Sequence, residues 1–139
     1  MAGAKFSGAA ALNVAACATA RPSLRIFSGD DTDLAATLRA AGAGIISARS
    51  SAFPEVFAGL SAALRAAGAG KAPEASVAAA ARQADVTAIA ALGSSIGLVK
   101  EALRLRGFGP MAARMPVGFP DPATAARVGE LVKSLAPAD

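Results

Sequence analysis

The sequence predicts an α/β fold: a small parallel sheet first, then helices alone. Three observations predict it. Within the first fifty residues, short apolar runs alternate with segments of helical composition. From Arg49 onward the apolar stripes recur at helical spacing. Of the 139 residues, 54% are hydrophobic and only 17% are charged, too apolar for a disordered chain and long enough for one domain with a core.

Ala2 to Phe6 is the first apolar run and carries one lysine, Lys5. After Ser7-Gly8, Ala9 to Ala20 is rich in alanine, the strongest helix former, and Arg21-Pro22-Ser23 breaks that helix. Leu24 to Ser28 is β-branched and aromatic enough for a strand, which Gly29-Asp30-Asp31 ends. Asp31 or Thr32 is placed to cap a helix over Asp33 to Ala41, because a side-chain oxygen there accepts a free first-turn N–H. Gly42 stops that helix, and Gly44-Ile45-Ile46-Ser47 forms a short buried strand. Strands separated by helices of ~10 residues imply right-handed crossovers and parallel pairing.

The second half is helical. Phe53, Val56, Phe57, Leu60 and Leu64 make one apolar face, closed by Gly68-Ala69-Gly70. Pro73 suits the first position of the next helix, which runs to about Leu92 before Gly93-Ser94-Ser95. Ile96 to Arg106 is a third helix, with Ile96, Val99, Leu103 and Leu105 turned inward. Gly107 to Pro120 holds three glycines and three prolines and is expected to be an irregular loop. Asp121-Pro122 then caps and starts a final helix with Val128, Leu131, Val132 and Leu135 on its apolar side. The expected organisation is one domain, with strand–helix units over 1–52 and helices over 53–139.

Composition excludes much chemistry. With no His there is no histidine-based triad and no imidazole ligand. A single cysteine, Cys17, excludes an internal disulfide and a four-cysteine zinc site. The net charge is +4, but the basic residues are scattered along the helices, with no aromatic beside them to stack a base. No nucleic-acid partner is expected. No stretch approaches ~20 strongly apolar residues, so no membrane-spanning helix is expected, and the chain reads as cytoplasmic. The N-terminus has a rival reading. Lys5, the apolar run Ala9 to Ala18 and Ala18-Thr19-Ala20 can pass for a secretory signal, and Val14-Ala15-Ala16-Cys17 for a lipoprotein box. The alternative is an ordinary amphipathic helix with Leu12, Ala16 and Thr19 on one side.

A sheet of only three parallel strands leaves an edge open, so it reads as the end of a larger (β/α) array. In such an array the strands' C-terminal ends carry the site. Here those ends are Lys5, Gly29-Asp30-Asp31 and Ser47 to Ser51.

The succession Ala2-Gly3-Ala4-Lys5, Phe27-Ser28-Gly29-Asp30-Asp31, Gly42-Ala43-Gly44-Ile45-Ile46-Ser47 and Pro54 resembles the second half of the dihydrodipicolinate synthase and N-acetylneuraminate lyase family. The tail, with Lys100, Gly107 and Arg114-Met115-Pro116, is similar too. The resemblance implies the last strand–helix units of a (β/α)8 TIM barrel followed by a helical extension. It implies a lyase that joins or cleaves pyruvate, or another 2-oxo acid, and an aldehyde through a lysine imine, with no cofactor. Lys5 matches the imine-forming lysine, Gly29 the glycine near the pyruvate carboxylate, and Ile46 the residue packed against bound pyruvate. Two departures stand out. Ser50-Ser51 replaces a small-residue–Asn pair, and the family's Thr-Thr motif, relay tyrosine and carboxylate-binding arginine lie on earlier strands that this chain does not contain. A homo-oligomer or a complementing N-terminal half is the implied partner. The alternatives are a barrel fragment without catalysis, or an exported lipoprotein anchored through Cys17.

The chemistry explains the interest in lysine. A free lysine has a pKa of ~10.4, and imine formation needs the neutral amine, which burial favours. Other candidates are weaker. Asp30, Asp31 and Asp33 suit caps better than a cation cage of about six oxygens. Gly107-Phe108-Gly109 follows a helix rather than a strand, so it fails as a dinucleotide loop. Gly70-Lys71 lacks the rest of a phosphate loop, and Cys17 is expected to be a small buried hydrophobe.

Overall fold

The computed structural model describes residues 1–8, 13–68, 73–112, 114 and 117–135. The chain forms two compact units, Met1–Ser47 and Ala48–Asp139.

The first unit contains β1 (Gly3–Phe6), α1 (Val14–Ala20), β2 (Arg25–Ser28), α2 (Leu34–Arg39) and β3 (Gly44–Ile45). The strands form one parallel sheet in the order β1-β2-β3. Lys5 lies opposite Phe27, Phe6 opposite Ser28, and Ser28 opposite Ile45. Side chains alternate along a strand, so this register sorts the residues by face. Ala4, Phe6 and Ile26 pack with Val14, Cys17 and Ala18 of α1, and Ile26 keeps only 2% of its surface exposed. Cys17 is half-buried there, as a small hydrophobe would be. Gly3, Lys5, Arg25, Phe27, Gly44 and Ile46 belong to the opposite face.

Some sequence expectations shift. The helix expected over Ala9 to Ala20 is seen from Val14, and residues 9–12 lie outside the described set. Asp30, rather than Asp31 or Thr32, supplies the cap: its Oδ1 accepts from the Thr32 N–H at 2.9 Å and the Thr32 hydroxyl at 2.7 Å. That bond opens a 3-10 turn over Asp31–Asp33, so α2 begins one residue later, at Leu34. Gly42 does follow the helix. Its N–H bonds the Thr37 carbonyl at 2.8 Å, and a methyl group there would lie 2.6 Å from the Thr37 methyl. The left-handed turn itself falls on Ala41, at φ 59°. β3 pairs over only Gly44–Ile45, shorter than the four residues expected, because β2 ends at Ser28.

The second unit holds α3 (Pro54–Gly68), α4 (Pro73–Ala91), α5 (Ile96–Leu105) and α6 (Pro122–Leu135), after a 3-10 turn at Arg49–Ser51. Its core is Phe53, Val56, Phe57, Leu60, Val86, Ile89, Ala102 and Val128, all at or below 6% exposure. The apolar faces expected of α3 and α6 are thus the ones that pack. On α5 the expectation fails in part. Ile96 is 51% and Leu105 40% exposed, while Gly97, Glu101 and Ala102 are buried. Gly97 packs so closely that a methyl group there would lie 2.3 Å from the Gly118 carbonyl oxygen. The Ser95 hydroxyl caps α5 by accepting from the Gly97 N–H at 3.1 Å. Residues described between Gly107 and Pro120 form neither helix nor strand, with Gly107 and Gly109 at φ 87° and 78°. The Lys100 ammonium donates to the Ala112 carbonyl across this loop.

One ion pair ties this unit together. The Arg106 guanidinium grips the Glu55 carboxylate with both amino groups and lies 6.0 Å from the centre of the Phe53 ring. Burial pushes the Glu55 carboxyl up. The hydrogen bond from Arg106, the Glu55 backbone N–H and the charges of Arg106 and Arg82 outweigh it, leaving the pKa below the usual carboxylate range. Among the described residues, no single helix is long and apolar enough to cross a membrane.

Candidate functional site

The site is built by the ends of the strands in the first unit. Backbone bonds continue past the paired residues. The Gly29 N–H reaches the Phe6 carbonyl at 2.6 Å, and the Ile46 N–H reaches the Ser28 carbonyl at 2.9 Å. These bonds hold the turn after β2 beside the end of β1, and the residue after β3 beside the end of β2. The turn is fixed from within as well. The buried Ser28 hydroxyl accepts from the Asp30 N–H at 3.0 Å and donates to Asp33 at 3.4 Å.

Gly29 sits against the lysine. A methyl group on Gly29 would lie 2.7 Å from Lys5 Cε, 2.3 Å from the Ser7 hydroxyl and 3.0 Å from the Phe6 carbonyl oxygen. Only a residue without Cβ leaves the lysine stem this path. Lys5 and Ile46 line one open hollow of about 380 Å³ with Ala2, Gly3, Ala4, Arg25 and Phe27. That volume lies within the range of small-molecule sites, about 300–1,000 Å³. The structure therefore places Lys5 in contact range of Gly29 and puts Ile46 on the wall of the same hollow. Lys5 is exposed, and Ile46 is 47% exposed.

Two lining residues went unnoticed in the sequence. Arg25 and Phe27 share the lysine's face because they lie two apart on β2, and the guanidinium stands 5.6 Å from the Phe27 ring centre. The alternation of Arg25-Ile26-Phe27-Ser28 was the available signal. The lining thus has two cations, Lys5 and Arg25, and no acid. Neither cation has an ion-pair partner among the described residues. Such a wall can attract an anion and offers an amine that reacts with carbonyl carbon. Asp30, Asp31 and Asp33 stay in their turn, and among the described residues no cluster of His, Cys, Asp or Glu could hold a metal ion. Ser50 and Ser51 lie in the 3-10 turn of the second unit. Of the tail motif, Met115 and Pro116 lie outside the described residues, as does Gly70-Lys71.

A second hollow, in the helical unit, is lined by Arg49, Phe53, Ile89 and Leu98 among others and is only about 10 Å³, room for one water. The Arg49 guanidinium there donates to the Gly93 carbonyl at 2.9 Å, which braces the α4–α5 turn.

Comparison with known proteins gives a consistent picture. The family model described as "Dihydrodipicolinate synthetase family" matches residues 1–135. No curated protein matches the chain. Among the solved structures that share the fold are two dihydrodipicolinate-synthase-type proteins. One is YagE, a prophage protein of the dihydrodipicolinic acid synthase family from E. coli K12, in complex with pyruvate, with a TM-score of 0.76 and 22% identity. The other is a putative dihydrodipicolinate synthetase from Pseudomonas aeruginosa, with a TM-score of 0.76 and 18% identity. The matches cover 97% and 98% of this chain but only 46% of each of those two.

Proposed function

The chain belongs to the dihydrodipicolinate synthetase family, and from that premise we propose that it carries the imine-forming part of a class I aldolase-type lyase acting on a 2-oxo acid. In this reading the strands are the last of a (β/α)8 barrel, and the hollow is part of that barrel's inside. The observation that carries it is the meeting of Lys5 with Gly29 beside the hollow that Ile46 also lines.

The reaction follows from an amine so placed. The neutral Lys5 amine adds to the C2 carbonyl of the oxo acid, the resulting hydroxyl takes up a proton and leaves as water, and an iminium ion forms. Its positive nitrogen draws electrons from the neighbouring C3–H bond, so a proton leaves and an enamine forms. The enamine carbon bonds to the carbonyl carbon of an aldehyde, whose oxygen takes up a proton. Water then hydrolyses the iminium and frees the lysine. Cleavage runs the same steps backwards. Gly29 keeps the lysine stem in place, and Ile46 supplies an apolar wall for the carbon chain. With no Tyr and no His in the sequence, proton transfer falls to other groups, which a complementing barrel half or a second copy of the chain would supply.

Borohydride reduction in the presence of pyruvate tests this. An adduct on Lys5, found by peptide mass spectrometry and lost in Lys5→Arg, is the expected result. A wild-type chain that takes no adduct overturns the reading. The exposure of Lys5 supports a second reading, a barrel fragment that keeps the fold without the reaction, because the amine stands open to water rather than enclosed with a substrate.

A further inference from the structure

Ser7 is a reactive side chain beside the lysine to which the imine reading gives no task. It stands one residue past β1, at the C-terminal end of the strands, where a (β/α) array carries its chemistry. Lys5 and Ser7 lie two apart, so alternation along the strand puts both on one side. The backbone fixes this placement, because the Gly29 N–H bonds the carbonyl of the Phe6–Ser7 peptide at 2.6 Å. The hydroxyl and the lysine stem then meet over one atom. From the point that a Gly29 Cβ would occupy, Ser7 Oγ lies 2.3 Å away and Lys5 Cε 2.7 Å away. Two atoms so near one point are near each other, and the lysine nitrogen is one bond beyond Cε. The other hydroxyls of the turn are committed elsewhere, Ser28 to Asp30 and Asp33, and Thr32 to Asp30.

We propose that Ser7 is a catalytic residue of imine formation, whose hydroxyl passes a proton from the Lys5 nitrogen to the oxygen of the first adduct. The proposal deepens the imine reading and rests on it for the carbonyl chemistry. When the amine adds to C2, the nitrogen becomes positive and the former carbonyl oxygen negative. Both atoms are bonded to the same carbon, and direct transfer between them closes a strained four-membered ring. A hydroxyl beside both widens the ring to six. Ser7 accepts the nitrogen's proton as its own passes to the oxygen, since a hydroxyl both donates and accepts. Serine ends as it began, neutral, and the adduct becomes a neutral carbinolamine. The proton that turns its hydroxyl into water, the C3 proton and the proton for the aldehyde oxygen still need other groups.

The test is trapping of the full chain with pyruvate and cyanoborohydride, read as the rate of adduct formation on Lys5. Ser7 is exposed, so replacing it leaves the core untouched. Ser7→Ala is expected to slow labelling about tenfold, less than the ~10²–10⁴ of an enclosed acid–base group, because water competes at an open site. Ser7→Thr keeps a hydroxyl and recovers most of the rate. Added imidazole should speed Ser7→Ala and leave the wild type nearly unchanged, since a small acid–base pair replaces the missing relay. Acetylation of Lys5 by acetic anhydride, whose acetate departs without taking up a proton, should run equally in wild type and Ser7→Ala. Trapping of Ser7→Ala at the wild-type rate overturns the proposal and leaves the imine reading standing. Equal slowing of trapping and acetylation, without rescue by imidazole, would assign Ser7 to holding the lysine in place and also overturn it. A wild-type chain that is acetylated at Lys5 but takes no pyruvate adduct overturns the imine reading and this proposal together.

Discussion

Gly29 makes the sharpest demand of any single residue. Gly29→Ala would force a methyl group against Lys5 Cε and the Ser7 hydroxyl, both of which can move, and against the Phe6 carbonyl, which cannot move without disturbing the sheet. The variant is expected to fold, by circular dichroism, and to lose pyruvate trapping at Lys5 by at least about tenfold, since an ångström of misplacement is costly in a reacting group. Unchanged trapping would mean that the lysine reaches its working position by another path. The sequence singles out Lys5, Gly29 and Ile46 because strand-end motifs are local strings. It does not single out Arg25, whose place on the lysine's face comes from pairing with Gly3, on a strand distant in the chain.

Helices depend on a few well-placed groups. Ser95 caps α5 through the Gly97 N–H, so Ser95→Ala should cost about 1 kcal/mol, visible as a lower urea midpoint at constant slope. Leu60 in α3 is fully buried, and Leu60→Ala should cost about 2–5 kcal/mol. The pair linking the first turn of α3 to the end of α5 adds a pH signature. Both side chains are largely covered, at 20% and 29% exposure, so Glu55→Gln should lose about 1–2 kcal/mol at neutral pH, between an exposed and a buried pair. The Glu55 pKa is lowered on folding, so its contribution is full above the usual carboxylate range and fades as pH falls through the folded value. Denaturant midpoints of wild type and Glu55→Gln should therefore converge as the pH falls through the lowered folded value, and a gap that persists in strong acid would contradict the assignment. The helices themselves were legible, since periodicity and prolines mark them. The buried face of α5 was not, because Gly97 packs by having no side chain, a role that hydrophobicity does not register.

At the scale of the whole molecule, the sheet has open edges among the described residues. With β2 in the middle, β1 and β3 each have one unpaired edge among the described residues, and the Lys5 face is an open hollow. Unpaired strand edges and uncovered faces favour association. Light scattering of the purified chain should show a mass above the monomer that rises with concentration, and a monodisperse monomer would refute this. Turnover of pyruvate with an aldehyde by this chain alone should stay far below the typical ~10 s⁻¹, since its hollow is lined without an acid and the lack of a placed acid–base group costs ~10²–10⁴ in rate. The parallel class of the sheet was legible from the spacing of its strands, and the chain divides into the units Met1–Ser47 and Ala48–Asp139. That division has a consequence for descent. Lys5, Arg25, Phe27, Gly29 and Ile46 all fall within Met1–Ser47, so a crossover between related genes at the Ser47–Ala48 junction would pass them on as one heritable block, whatever helices it joined to them.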